Sequence, residues 1–95
     1  MTSTEFNEKY KYLLQSYESN GKTIYYSGLC FDDPNVTEFL DGLFQNVCSK
    51  ILGFKFSQIK VKFGKCRFYS NIQGFEFEIM VEQKIDELLR EKLVE

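Results

Sequence analysis

Two sets of side chains in this sequence could do chemistry: three cysteines and a run of cations. Cys30, Cys48 and Cys66 lie 18 residues apart, form no Cys-x-x-Cys pair, and have no histidine anywhere in the chain to join them. A zinc site would have to add a carboxylate to all three thiolates, which is not the pattern of a structural or catalytic zinc centre. A nucleophilic thiolate needs cationic neighbours, and Cys66 has Lys65 and Arg67 beside it. However, Cys66 alternates in phase with apolar Phe68 rather than with Arg67 and Tyr69, and burial raises a thiol's pKa. Three buried thiols acting as small hydrophobes in a reducing compartment is the simpler reading. Without histidine the commonest general acid or base is also missing. The residues therefore predict a protein that is not an enzyme and holds no metal or cofactor.

The cations are the stronger signal. The net charge is −2, but no acidic residue lies between Asp41 and Glu76, and six of the 12 basic residues fall in that interval: Lys50, Lys55, Lys60, Lys62, Lys65 and Arg67. All 14 carboxylates lie elsewhere, against the other six cations. Such segregation implies one patch made to meet anions or to meet the protein's own acidic segments. Ile59, Val61 and Phe63 alternate with Lys60 and Lys62, and Cys66 and Phe68 with Arg67 and Tyr69. With Gly64-Lys65 as a two-residue turn, this is a hairpin with one apolar face and one face carrying Lys60, Lys62, Arg67 and Tyr69. Lys65 joins them at the turn, whereas Lys50 and Lys55 belong to a helix end and a connector.

The elements that must position this hairpin follow from spacing. Thr2 and Glu5 form a capping box, and Phe6, Tyr10, Leu13 and Tyr17 then recur at helical intervals, predicting a helix that ends at Ser19-Asn20-Gly21. Lys22 to Phe31 reads as a strand covered on both sides. Asp33-Pro34 opens a second helix, whose wide stripe from Val36 through Phe44 to Leu52 ends at Gly53. Asp32, Asp33 and Glu38 near its start suit a cation, but capping and the helix dipole explain them better. Asn71 to Gly74 reads as a turn, and Phe75, Phe77, Ile79 and Val81 alternate with Glu76 and Glu78 as in a third strand. Two registers are possible for that strand, and one sets Arg67 opposite Glu78 and Tyr69 opposite Glu76; Phe77, Val81, Ile85 and Leu88 also fit a helix beginning early. From about Glu82 the period is helical. The expected fold is one α+β domain over residues 1–95, an antiparallel β-meander packed against amphipathic helices in the order α-β-α-β-β-β-α.

The segment Gln58 to Tyr69, QIKVKFGKCRFY, resembles the signature of a family of small uncharacterised bacterial and phage proteins. The family pattern runs approximately Gln-Ile-Lys-Glu-Lys-Phe-Gly-Gly-Leu-Arg-Phe-Tyr, with an amphipathic helix on either side. Gln58, Ile59, Lys60, Lys62, Phe63, Gly64, Arg67, Phe68 and Tyr69 match it, while Val61, Lys65 and Cys66 depart from it. The resemblance implies a helix, hairpin, helix arrangement and a bacterial or phage origin. It transfers no activity, and many members carry a C-terminal cysteine-pair segment that this chain lacks.

Two functions remain in view. One is a protein-binding module, such as an inhibitor, an immunity-like protein or an assembly subunit. It draws on the small size, the acidic outer helices and more tyrosines than a core of this size can bury with their hydroxyls satisfied. The alternative is nucleic-acid binding, with Lys60, Lys62, Lys65 and Arg67 on phosphates and Tyr69 under a base. The acidic pI of about 5.2 weighs against it. Carboxylates at Glu76 and Glu78 would neutralise part of the face in either case. An open sheet edge allows a homodimer. The polar start, Met-Thr-Ser-Thr-Glu, and the absence of a long apolar run predict a cytoplasmic protein that does not enter a membrane.

Overall fold

The computed structural model describes residues 1–72 and 75–93. The capping box forms as its residues require: the Glu5 amide donates to Thr2 Oγ1 and the Thr2 amide to Glu5 Oε1, both at 3.1 Å. These bonds start α1 (Ser3–Lys9), and the Ser3 amide adds a 2.6 Å bond to Asp32 Oδ1. The helix then ends early, giving way to a 3-10 turn, Lys11–Leu13. Phe6, Tyr10 and Leu13 are all buried, so the apolar spacing is real. Its continuation to Tyr17 is not helical. Asn20 and Gly21 have φ of 51° and 75° and form the two-residue turn of a hairpin, β1 (Ser16–Ser19) with β2 (Lys22–Tyr25), rather than a helix end. An Asn-Gly pair serves both purposes, and here the strand-forming residues after it decide.

The strand expected over Lys22 to Phe31 is accordingly two. β2 is exposed along its length, and β3 (Gly28–Leu29) is buried. Both Leu14 and β3 pair in parallel with β4 (Phe56–Lys62): Leu14 lies opposite Phe56, Gly28 opposite Gln58 and Leu29 opposite Ile59. The Gln15 amide donates to the Phe56 carbonyl at 2.7 Å. Residues 16–27 are thus an excursion, a hairpin let out of one strand position beside β4 and taken back in. β4 pairs antiparallel with β5 (Lys65–Ser70), giving the order β3-β4-β5.

Asp33 caps α2 (Pro34–Asn46) as expected, its Oδ1 accepting from the Asn35 and Val36 amides at 2.9 and 3.1 Å. Val36, Leu40 and Phe44 are fully buried. Phe44 is the hub of the core, meeting Phe6, Tyr10, Phe54, Phe56 and Phe68 edge to face at centroid distances of 4.9 to 6.4 Å. Such contacts add about 0.5 to 1.5 kcal/mol each beyond burial. Helical hydrogen bonding stops short of Leu52: α2 is followed by a 3-10 turn, Cys48–Lys50, and Leu52 is fully exposed. The expected third strand is instead the first turns of α3 (Phe75–Leu93). Val81 and Ile85, four residues apart, are buried against the core, so the 3.6-residue period prevails over the local alternation. The turn expected over Asn71 to Gly74 lies partly outside the described residues. The molecule is an α+β domain, and among the described residues no helix is long and apolar enough to cross a membrane.

Helices supply side-chain partners to both outer strands of the main sheet. On one side Asn7 of α1 imitates a strand, its Nδ2 donating to the Leu29 carbonyl at 3.0 Å and its Oδ1 accepting from the Leu29 amide at 2.8 Å. Gly28, at φ 70°, makes room for it; a Cβ there would lie 2.4 Å from Asn7 Oδ1. On the other side α3 lies along β5. Asp86 Oδ1 accepts from the Cys66 amide at 2.8 Å, and Glu82 Oε2 from the Phe68 amide at 3.2 Å. Glu78 Oε1 meets Ser70 Oγ at 3.4 Å. Four helical residues rise about 6 Å and two strand residues about 6.7 Å, so carboxylates at i, i+4 and i+8 match every second strand position.

Gly28→Ala should cost about 2 to 4 kcal/mol, from left-handed backbone strain together with loss of the Asn7 bonds, as read by urea denaturation. A loss below about 1 kcal/mol would show that the Asn7 contact contributes little. A second expectation concerns Asp41, whose carboxyl is held below the usual range by Lys9 Nζ at 2.7 Å and by the Tyr10 hydroxyl at 2.5 Å. A group whose folded pKa is depressed contributes stability that is present above its unfolded value and is lost in acid, as pH falls through the lower folded one. Thermal melts of Asp41→Asn should therefore lie below wild type at neutral pH and converge with it in acid; a constant offset would remove Asp41 from the acid transition.

Candidate functional site

The hairpin forms with its turn one residue earlier than expected. Phe63 and Gly64 are the central residues, at φ 54° and 75°, and Lys62 faces Lys65, Lys60 faces Arg67, and Gln58 faces Tyr69. Moving the turn by one residue shifts the pairing by two, an even step that leaves the side chains of both strands on their expected faces and takes Phe63 alone out of the apolar one. Ile59, Cys66 and Phe68 point into the core and are buried. Lys62, Lys65, Arg67 and Tyr69 are exposed and Lys60 half-exposed on the outer face. All five residues expected at the site are thus brought together.

Two features sharpen the face. Its cations oppose one another directly, Lys60 across from Arg67 and Lys62 across from Lys65, an arrangement that is mildly destabilising on a bare sheet. Nor are they paired to carboxylates: among the described residues the ion pairs are Lys9 with Asp41 and Lys84 with Glu87. The expected pairing of Arg67 with Glu78 and Tyr69 with Glu76 gives way to a different arrangement. Glu78 and Glu82 sit on a helix and are engaged with the edge of β5, together with Asp86. The Lys60 ammonium lies 5.8 Å from the Tyr69 ring centroid.

The hairpin is anchored at its base. The Lys55 amide donates to Asn71 Oδ1 at 2.8 Å, the Asn71 amide to the Lys55 carbonyl at 2.9 Å, and Asn71 Nδ2 to the Gly53 carbonyl at 2.8 Å. At the other end the turn stands clear, with Phe63 93% exposed. Sequence reading assigned Phe63 to the apolar face and so missed it. The available signal was the Phe-Gly pair, since Gly suits the second central position of this turn and thereby places Phe at the first. Behind the turn a cleft of about 340 Å³ is lined by Gly64, Lys65, Gln83, Asp86, Leu89 and Arg90.

The cysteines are dispersed. Cys48 and Cys66 are buried, and burial pushes both thiols up to about 12. At Cys66 the carboxylates of Asp86 and Glu82 add to the rise against a smaller lowering by Arg67. A thiol so placed is not a ready nucleophile. Cys30 is exposed, with its Sγ 3.7 Å from Gln58 Nε2. No group of three or more potential metal-ligating side chains occurs among the described residues.

In comparison with known proteins, no family model, no curated protein and no solved structure matches the chain.

Proposed function

We propose that this chain is a small, non-enzymatic protein-binding module of bacterial or phage origin, acting in the cytoplasm as an inhibitor, an immunity-like protein or an assembly subunit. It docks the β4–β5 hairpin on an acidic protein surface. The observation that carries this reading is Phe63. A bulky L-residue in the left-handed region costs about 1 to 2 kcal/mol, and a phenyl ring left in water forgoes about 1.5 to 3 kcal/mol of burial. Asparagine would relieve both costs at this turn position. A partner that buries the ring offsets them.

The surroundings suit that partner. Aromatic and Arg side chains are the usual anchors of protein interfaces. Phe63 is flanked by Lys62 and Lys65, with Lys60, Arg67 and Tyr69 along the outer face behind it. The matching surface is an apolar hollow rimmed by Asp and Glu. Nucleic acid is the weaker reading, because the Lys60 ammonium is already close to the Tyr69 ring that a base would use. The remaining cations span only the rungs nearest the turn.

Two measurements test the proposal. Phe63→Asn should raise stability by about 1 kcal/mol in urea denaturation while abolishing recovery of partner proteins on immobilised protein. Greater stability with undiminished recovery would overturn the role of Phe63. The double variant Lys60→Glu/Arg67→Glu should lose the same partners without destabilisation, since it replaces one opposed like-charge pair by another. Titration of the wild type with RNA and DNA should show no binding at low salt. Binding that weakens with a log–log salt slope of about −3 to −5 would instead establish nucleic acid as the ligand.

A further inference from the structure

The first hairpin contrasts with the rest of the molecule. Side chains from helices cap backbone groups of β3 and β5, the outer strands of the main sheet, whereas β1 and β2 form a two-stranded sheet exposed on every residue. The twelve residues of the excursion, 16–27, SYESNGKTIYYS, are a rigid-aromatic and small-polar set of the kind that contact surfaces use. Tyr17, Ile24, Tyr25 and Tyr26 are 37 to 52% exposed. Two-stranded sheets are marginal in water, and an unprotected edge is a template for another strand.

The pairing pattern says which groups are open. Ser19 and Lys22 flank the two-residue turn and form the first hydrogen-bonded pair, so Tyr17 and Ile24 form the next. The Tyr26 amide continues the series by donating to the Gln15 carbonyl at 2.9 Å. Thr23 and Tyr25 therefore turn their N–H and C=O groups away from β1. Among the described residues no hydrogen bond reaches those outward groups.

We propose that β2 pairs antiparallel with β2 of a second copy of this chain, about a two-fold axis through Ile24. In that register Thr23 of each copy exchanges both backbone hydrogen bonds with Tyr25 of the other, four bonds in all. Ile24 then meets Ile24 at a non-hydrogen-bonded site, where the backbones approach to about 4.5 Å and the side chains pack closely. On the same face Lys22 of each copy comes opposite Tyr26 of the other, a cation over an aromatic ring rather than a like-charge clash. Tyr17, whose ring lies 5.8 Å from Tyr26, extends that apolar face. The product is a four-stranded sheet, β1-β2-β2-β1, which is closed to further growth through β2. The surface is separate from the Phe63 hairpin, so the dimer would present two docking hairpins. The contact lies at the small end of specific interfaces, and the dimer is therefore reversible with concentration.

Sedimentation of the full chain from micromolar to millimolar concentration tests this, with a doubling of mass expected for the wild type. Ile24→Lys, which sets two ammonium groups against each other at the axis, should remain monomeric. So should Thr23→Pro, which removes an outward N–H that β1 does not use. Each should keep the wild-type circular dichroism. In a Cys30→Ser background, Ile24→Cys should form a covalent dimer on mild oxidation, because the paired backbones lie within disulfide reach. Thr23→Cys, which points to the opposite face and meets Tyr25, should not. A wild type that stays monomeric at millimolar concentration overturns the proposal. So does a dimer that survives both Ile24→Lys and Thr23→Pro, or equal cross-linking from positions 23 and 24.

Discussion

The pairing of helix-borne carboxylates with the outward amides of β5 is the interaction on which the architecture depends. A three-stranded sheet has two rows of unsatisfied backbone groups, and a domain this small has no further strands to cover them. α3 solves this by lying along β5, so that Asp86 and Glu82 accept from Cys66 and Phe68 while Val81 and Ile85 enter the core beside them. One helix thus supplies both apolar burial and edge satisfaction. Bonds from amides to carboxylates are charge-assisted and stronger than neutral ones, which suits a position where a lost partner would strand a buried donor.

That arrangement also accounts for the free cations of the hairpin. Of the carboxylates on the neighbouring helix, Asp86 and Glu82 accept from amides of β5 and Glu78 from the Ser70 hydroxyl. The charge segregation along the chain becomes a separation between a sheet face and a sheet edge. Asp86 and Glu82 hold their charge at that edge, against backbone amides, rather than in ion pairs with the cations of the outer face.

Much of this is legible in the residues. The capping box at Thr2 and Glu5, the Asp33-Pro34 start of α2 and the two-faced alternation from Ile59 to Tyr69 each combine a local hydrogen bond with an unambiguous period. The errors share one cause, a local signal with two meanings. Asn20-Gly21 suits a helix end and a hairpin turn alike, and Phe75 to Val81 satisfies both a two-residue and a 3.6-residue period. Long-range packing decides between them: Val81 and Ile85 must both reach the core. The exposure of Phe63 depended on a one-residue choice of turn, to which the face assignments of the five site residues were insensitive.

The excursion at residues 16–27 has a dynamic consequence. Its two ends, Gln15 and Gly28, return to neighbouring positions beside β4, and no residue of its strands is buried in the core. The hairpin can therefore open and reclose as a cooperative unit without disturbing Phe44 or the sheet behind it. Its amides should exchange with solvent hydrogen well before those of β4 and β5. A segment that opens at little cost to the core can also lengthen, shorten or change sequence at little cost, so this loop of strand is where the chain has most freedom to evolve a new contact.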